Sequence, residues 1–280
     1  MAIPPSIADF QEQLKKALLR YYGPQEAPII VSYFLAEHDL SQPDWPLLQQ
    51  QAARLEAGEP IQYVIAKGHF YGRDFKVGPG VLIPRRETEE LMVWVRNEAQ
   101  GQNKVIRGLD IGTGTGCIPI SLALEWEAKG RSSDLMGIDI SVEALEIART
   151  NAHHFEATNC QFQQLDILKA NDEQFEALDF VVSNPPYVPN KEKAIIKEHV
   201  KKYEPGLALF VPDEDPLLFY RSIAERSIHW LRPGGQLFLE IHEDYGAEMQ
   251  ALLLSLGFQQ IVLRQDLQGK DRMLKGQRPL

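Results

Sequence analysis

The sequence predicts an α/β protein: a mostly parallel sheet with helices on both faces, preceded by a small helical bundle. Three observations predict it. Apolar, strand-like runs alternate with helical spacing from residue 88 onward. The first sixty residues carry helical periodicity alone, and a glycine-rich turn, LDIGTGTG, follows the first apolar run. A length of 280 residues suits two units, and 44% hydrophobic residues can bury a core.

Residues 1–60 read as three short amphipathic helices. Ser6 is a cap for a segment in which Ile7, Phe10, Leu14, Ala17, Leu18 and Tyr21 share a face, and Gly23-Pro24 stops it. A second helix turns Ile29, Ile30, Tyr33 and Phe34 inward; a third carries Leu47, Leu48, Ala52 and Leu55 and ends at Gly58. Residues 61–87 are rich in glycine and β-formers and predict strands with turns, a linker whose Tyr63, Phe70, Tyr71 and Phe75 need burial. Thr88 reads as the N-cap of a helix holding Leu91, Met92 and Val95. Within 88–280, strands are expected near 105–111, 134–139, 161–165, 178–183 and 236–241. Helices fall between them near 115–129, 141–154 and 214–231, which is the pattern of a parallel sheet. FQQIVLR and RMLKG read as a closing antiparallel pair. A helix over Asn190–Tyr203 would align Lys193, Lys197 and Lys201 as a solvated face or, in the sharper reading, a basic edge beside the site.

Composition excludes several classes. Twenty-nine basic against 39 acidic residues give a net charge of −10, which disfavours binding nucleic acid through a broad basic face. Two cysteines, Cys117 and Cys160, supply neither a disulfide framework nor a four-thiolate zinc site, and fit a reducing compartment. The longest apolar run, around Ala27 to Ala36, falls short of the roughly 20 residues that span a bilayer. The start, MAIPPSIADFQ, lacks the charged and apolar segments of a secretory signal. A cytoplasmic protein with no membrane association is expected. His153-His154, His229 and His242 show no metal-ligand spacing, so no metal is expected either.

Three motifs carry chemistry. In LDIGTGTG, Gly112, Gly114 and Gly116 allow a tight turn after a strand and close approach of a ligand to the backbone. The third glycine comes one position earlier than in a dinucleotide fingerprint and residue 117 is Cys, which suits a cofactor with no pyrophosphate to seat. The alternative is a tight turn with no ligand. Asp139, at the tip of the second strand, can accept both hydroxyls of a ribose, or else serve the helix that opens at Ser141. SNPPY, Ser183 to Tyr187, follows a buried strand at its C-terminal end. Consecutive prolines remove two N–H groups, so this loop presents carbonyls. Asn184 adds a side-chain acceptor and Tyr187 a flat face, a combination that suits a planar amino group.

These motifs, with GEPIQYVIAKGHFYGRDFKVGPGVLIPRRETEEL (58–91), YEPGLAL (203–209) and LRPGGQLFLEIHEDYG (231–246), resemble a known family. It is the class I S-adenosylmethionine-dependent methyltransferases, and within them the HemK/PrmC-type protein-(glutamine-N5) methyltransferases of peptide chain release factors. The resemblance implies a seven-stranded Rossmann-like fold with a helical N-terminal domain that docks the release factor. It implies S-adenosylmethionine as cofactor, S-adenosylhomocysteine as product, no metal, and release factors 1 and 2 as substrates, methylated on the glutamine of their Gly-Gly-Gln motif by a monomeric enzyme. Carried over by position, the cofactor contacts are Gly112, Thr113, Gly114, Thr115, Gly116, Asp139, Ile167 and Asn184. Ile167 stands where the family often has an aromatic against the adenine. Asn184, Pro185, Pro186 and Tyr187 would hold the substrate amide, with the Asn184 side-chain oxygen and the Pro185 carbonyl as the catalytic acceptors. The family's Pro-Arg-Pro-Glu-Thr reads Pro84-Arg85-Arg86-Glu87-Thr88 here, adding a charge near the expected cleft. The rivals are a nucleic-acid amino-group methyltransferase acting on adenine N6 or guanine N2, a dinucleotide-dependent oxidoreductase, and a cofactor-binding adaptor without catalysis.

Overall fold

A computed structural model describes residues 6–99 and 105–280; Met1 to Pro5, part of the start read above, lie outside the described residues. Helices α1 (Ile7–Leu18), α2 (Glu26–Ala36) and α3 (Trp45–Glu56) are 12, 11 and 12 residues long. That is marginal for an isolated helix in water, where about 12–15 residues are needed. Ser6 does cap α1, its hydroxyl accepting from Asp9 N at 3.1 Å, and Asp44 caps α3 in the same way through Leu47 N. What holds the bundle is a shared core of Phe10, Leu14, Leu18, Val31, Phe34, Leu48 and Leu55. Each such side chain, fully buried, contributes about 1.5–3 kcal/mol. In α2 the buried face is Ala27, Val31, Phe34 and Leu35, while Ile29 is 68% exposed, contrary to expectation. EAPIIVSYFLA is apolar on nearly every side, so its periodicity selects no face.

The linker departs from an all-strand reading. Residues Ile61–Ile65 form a short helix, α4, that starts at Pro60, sends Ile61 and Val64 into the bundle core, and stops at Ala66 with a left-handed φ of 57°. Apolar residues three apart found a helical partner surface that strand alternation could not serve. Strands β1 (Lys67–Phe70) and β2 (Arg73–Lys76) are among the expected strands, and they pair antiparallel as a hairpin. Phe70, Phe75 and Tyr63 are buried, the Tyr63 hydroxyl donating to the Val81 carbonyl; Tyr71 is half-buried against Arg96. Helix α5 (Arg86–Glu98) begins before Thr88. Its cap residue is Arg85, with no side-chain cap bond, and Thr88 is buried in the first turn instead of capping it.

The remaining elements are β3 (Val105–Ile111), α6 (Cys117–Glu127), β4 (Ser132–Asp139), α7 (Val142–His154), β5 (Cys160–Gln164), β6 (Leu178–Ser183), β7 (Val188–Pro189), α8 (Glu198–Tyr203), β8 (Phe210–Val211), α9 (Leu218–Trp230), β9 (Leu231–Glu240), α10 (Gly246–Ser255), β10 (Gln259–Gln265) and β11 (Asp271–Gln277). Among the described residues, seven strands form one sheet in the order β10-β11-β9-β6-β3-β4-β5. β11 runs antiparallel to both neighbours and the other pairings are parallel. The expected α/β architecture is therefore observed. Central β6 is buried at every position. Phe180 and Val182 enter one core with Leu91, Val95, Ile120 and Trp126, while Val181 enters the other with Leu109, Ile223, Leu237 and Trp230. Burial on both faces is what a parallel sheet covered by helices demands.

The single helix expected over Asn190–Tyr203 is broken into a 3₁₀ turn at Asn190–Ala194 and α8. Its lysines share no stripe, because the helix is interrupted and two of them are drawn to different partners. Lys193 lies 4.5 Å over the Phe210 ring, and Lys197 pairs with Glu26 of α2 at 3.7 Å. The following residues clamp the linker. Glu204 accepts from Arg85 Nη2 at 2.6 Å and from Ile83 N at 3.2 Å, and the Tyr203 hydroxyl donates to the Ala57 carbonyl at 2.9 Å.

Arg86 opens α5, and its side chain lines an outer groove with Glu90, Trp94 and Arg264 instead of the cleft anticipated for its charge. Arg85 already has φ −112° and ψ 152°, the extended backbone that a following proline requires. Arg86→Pro is therefore expected to raise stability by about 0.4–1 kcal/mol. Urea unfolding checks this: a higher midpoint at unchanged slope is expected, and a lower midpoint would mean that the arginine side chain outweighs the backbone effect.

Candidate functional site

Because β3, β4 and β6 are adjacent and parallel, the loops that follow them emerge at one edge of the sheet. Gly112 N and Thr113 N both donate to the Ile138 carbonyl, at 2.8 and 3.0 Å, tying the glycine loop to β4. Gly116 is left-handed at φ 76°, and a Cβ there would come within 3.0–3.2 Å of Ile120, Phe162 and Ala148. The third glycine is thus required by packing of α6 on the sheet. A Cβ on Gly112 would lie 3.9 Å from the Asn184 carbonyl oxygen, so the glycine loop and the NPPY loop abut. Ser183 fastens them further, its hydroxyl donating to the Ile111 carbonyl at 2.7 Å.

Within the chain, Asp139 serves the helix that opens at Ser141 and also ties down the glycine loop. Its two oxygens accept from Gly114 N and Ser141 N, each at 2.9 Å, and Ser141 in turn caps α7 by accepting from Ala144 N. Each carboxylate oxygen keeps capacity for a further donor. Burial holds this carboxyl above its ordinary range, against the bonds from Ser141 and Gly114. Beneath the loop lies Asp110, the acid of LDIGTGTG, 2% exposed. Among the described residues, neither of its oxygens, nor the buried Thr113 hydroxyl, makes a hydrogen bond of good geometry. Burial pushes the Asp110 carboxyl up to about 7, the neighbouring Thr113 hydroxyl tempering the rise and Asp139 adding to it. Buried polar groups are seldom left unpaired. An open glycine turn with a carboxylate beside it that keeps acceptor capacity, and unpartnered polar atoms beneath it among the described residues, fits a polar, cationic nucleoside such as S-adenosylmethionine. Ile167 is 8% exposed and packs with Leu109, Ile111 and Ile138 next to these loops. Thr115 is buried under the turn.

The NPPY loop is anchored by side chains. Asn184 Nδ2 donates to Thr88 Oγ1 at 2.9 Å, the Thr88 hydroxyl donates to Glu240 Oε2 at 2.7 Å, and the Tyr187 hydroxyl donates to Glu240 Oε1 at 3.0 Å. Among the described residues nothing donates to Asn184 Oδ1 or to the Pro185 carbonyl. Pro185 is buried, while Asn184, Pro186 and Tyr187 are half-buried. Burial raises the Glu240 carboxyl to about 7, although Thr88, Tyr187 and Arg272 all favour its ionised form. Burial, and then the charge of Glu240, push the Tyr187 phenol well up. Thr88 and Glu240 were missed as site residues. The signal for Glu240 was a lone acid closing the apolar run QLFLE; Thr88 carried none, because a threonine before an apolar helix reads as a cap.

His242 lies over the edge of Tyr187, ring centroids 6.1 Å apart. With Glu192 and Asp244 it forms the one group among the described residues with metal-ligand spacing. Its Nδ1 accepts from Asp244 N at 3.2 Å, which puts the proton on Nε2, facing Glu192 at 3.2 Å. The grouping corrects the expectation that His242 shows no metal-ligand spacing, because the fold brings Glu192 to it from 50 residues away along the chain.

The region 102–240 matches the family model described as a methyltransferase domain. The release factor glutamine methyltransferase of Bacteroides thetaiotaomicron is 44% identical over 80% of this chain and 78% of its own length. The protein of the same description from Flavobacterium psychrophilum is 42% identical over 85% of this chain and 82% of its own. Among solved structures, a methyltransferase from Pyrococcus furiosus superposes with a TM-score of 0.53 at 17% identity, over 83% of this chain and all of that one, a likeness of fold.

Asp110 and Glu240 both hold a proton more tightly folded than unfolded, their folded values being about 7. Their contribution to stability is therefore complete below the unfolded carboxyl range and is lost as pH rises through about 7. Asp110→Asn should flatten that slope, so thermal midpoints at pH 5 and pH 8 should differ less in the variant than in the parent. An unchanged difference would show that Asp110 is ionised in the folded protein throughout.

Proposed function

The chain belongs to the release factor glutamine methyltransferase family, and we propose that its NPPY cleft holds the side-chain amide of a release-factor glutamine for methylation at N5. The observation that carries this reading is an Asn184 Oδ1 that no donor among the described residues engages, beside a Pro185 carbonyl equally unengaged by them. An amide nitrogen is a poor nucleophile because its lone pair is delocalised into the carbonyl. Two acceptors, one for each N–H, orient that nitrogen and strengthen as positive charge develops on it. No strong base is needed before attack, since the alkylated nitrogen is acidic and can lose its proton afterwards. Tyr187 and Pro186 wall the amide.

S-adenosylmethionine, when bound, supplies an electrophilic methyl group on a sulfonium sulfur. Gly112, Thr113, Gly114, Thr115 and Gly116 would hold it, with Asp139 on the ribose hydroxyls and Ile167 and Asn184 completing its contacts. This scheme asks for no metal.

In this reading residues 1–60 dock the release factor, residues 61–87 join the domains, and residues 88–280 carry catalysis. Leu19, Ile29 and Leu47 give the bundle surface 46%, 68% and 39% exposed apolar side chains for that purpose. Release factors 1 and 2 are the proposed substrates, modified at the glutamine of their Gly-Gly-Gln motif by a monomer in the cytoplasm. No helix among the described residues is long and apolar enough to cross a membrane.

Asn184→Ala should lower kcat on the order of 10²–10³-fold while KM changes little, measured as methyl transfer from radiolabelled S-adenosylmethionine to intact release factor. A rate near the parent's would remove Asn184 from catalysis, and label appearing in DNA or RNA instead would favour the nucleic-acid rival. Asp139→Ala should weaken binding of the methyl donor by roughly 1–3 kcal/mol; unchanged calorimetric affinity would remove Asp139 from the site. For docking, Ile29→Asp should raise KM for intact release factor and leave turnover of a short Gly-Gly-Gln peptide as it was. An equal effect on both substrates would contradict a docking role for that face.

A further inference from the structure

We infer that Thr88 and Glu240 are positioning residues that fix which way round the Asn184 amide lies, so that its oxygen and not its nitrogen faces the cleft. This deepens the proposed reaction and rests on Asn184 acting as an acceptor there. An asparagine amide is nearly symmetric in shape, so packing alone does not distinguish its oxygen from its nitrogen. The distinction must come from hydrogen bonds. Above about pH 7, where it is ionised, Glu240 has only lone pairs to offer. Oε2 takes the Thr88 proton at 2.7 Å and Oε1 takes the Tyr187 proton at 3.0 Å. A hydroxyl has a single proton, so Thr88 Oγ1, its proton committed to Glu240, can only accept from its other neighbour. That neighbour, 2.9 Å away, is Asn184, which must present Nδ2–H. Oδ1 is thereby turned outward. Rotating the amide by half a turn would set Oδ1 against the Thr88 lone pairs and lose the bond.

The same carboxylate secures both ends of the motif. Pro185 and Pro186 have no N–H groups, so the backbone between Asn184 and Tyr187 offers no donor by which the loop could be tied down. Glu240 is well placed to replace them. Ser183, the last residue of β6, pairs with Leu239 of β9, so Asn184 follows on beside Glu240, the last residue of β9. Thr88 comes from the first turn of α5 and is 4% exposed, Glu240 1%. Neither is available to touch the substrate glutamine, and each acts through Asn184.

The test compares Thr88→Val, Thr88→Ser, Glu240→Gln and Asn184→Ala in the full-length protein, with intact release factor and radiolabelled S-adenosylmethionine. Thr88→Val keeps the shape and removes both the acceptor and the proton. It should lower kcat about 10–100-fold, short of the Asn184→Ala loss, while calorimetric affinity for the methyl donor and KM for release factor stay within about twofold. Thr88→Ser restores the hydroxyl and should recover kcat to within about threefold of the parent. Glu240→Gln lets the chain of bonds run in either direction and should give an intermediate kcat. Should Thr88→Val fail to fold, Thr88→Ser and Glu240→Gln decide the question by the same criteria. Parent kcat in Thr88→Val or Glu240→Gln, with Asn184→Ala inactive, overturns the positioning role and leaves the acceptor role standing. Parent kcat in Asn184→Ala removes the acceptor role itself. A loss in Thr88→Val that Thr88→Ser does not restore, or that falls equally on methyl-donor affinity, assigns Thr88 to structure alone.

Discussion

Two prolines in succession impose the constraint around which the site is built. They give the NPPY loop a fixed path and a surplus of carbonyls, and they deny it the amide hydrogens by which a turn is normally tied to its neighbours. The loop must be secured from outside, by side chains that other elements deliver. β9 delivers Glu240, α5 delivers Thr88, and β6 supplies Ser183, which bonds across to the Ile111 carbonyl of β3. Burying a carboxylate to do this is costly, which shows in its raised proton affinity. Its hydroxyl partners offset part of that cost.

The parallel sheet makes this delivery possible. With β4, β3, β6 and β9 side by side and running in one direction, the glycine turn, Asp139, the NPPY loop and its anchor Glu240 all arrive at one edge. The apolar burial of β6 on both faces fixes its register, and a slip of one residue would exchange its two faces and turn Phe180 and Val182 toward the wrong core. The same register sets Asn184 beside Glu240. Core packing and site geometry are in this sense one requirement.

Much of the molecule was legible because its signals are local. Strand and helix alternation, the LDIGTGTG turn, Asp139 and NPPY can each be read from a few consecutive residues, and the sheet places them together. What sequence reasoning missed depends on residues far apart. Thr88 resembles a helix cap until the fold sets it between Asn184 and Glu240, which lie 96 and 152 residues away along the chain. Asp110 and Glu240 gave only the faint signal of an acid within an apolar strand. The faces of α2 were illegible because a uniformly apolar helix carries no directional information, and the lysines after NPPY were misaligned because contacts with Phe210 and Glu26 override helical continuity.

The clamp formed after NPPY has a consequence for how such proteins can be recombined. Lys197 reaches Glu26, Tyr203 reaches Ala57, and Glu204 holds Arg85 and Ile83. Residues 197–204 therefore follow NPPY in chain order but attach to the N-terminal helices and the linker. Grafting a bundle from one relative onto the catalytic half of another would sever these bonds unless that later segment travelled with it. The unit of exchange is discontinuous in sequence, and a splice chosen at the visible linker alone would divide it.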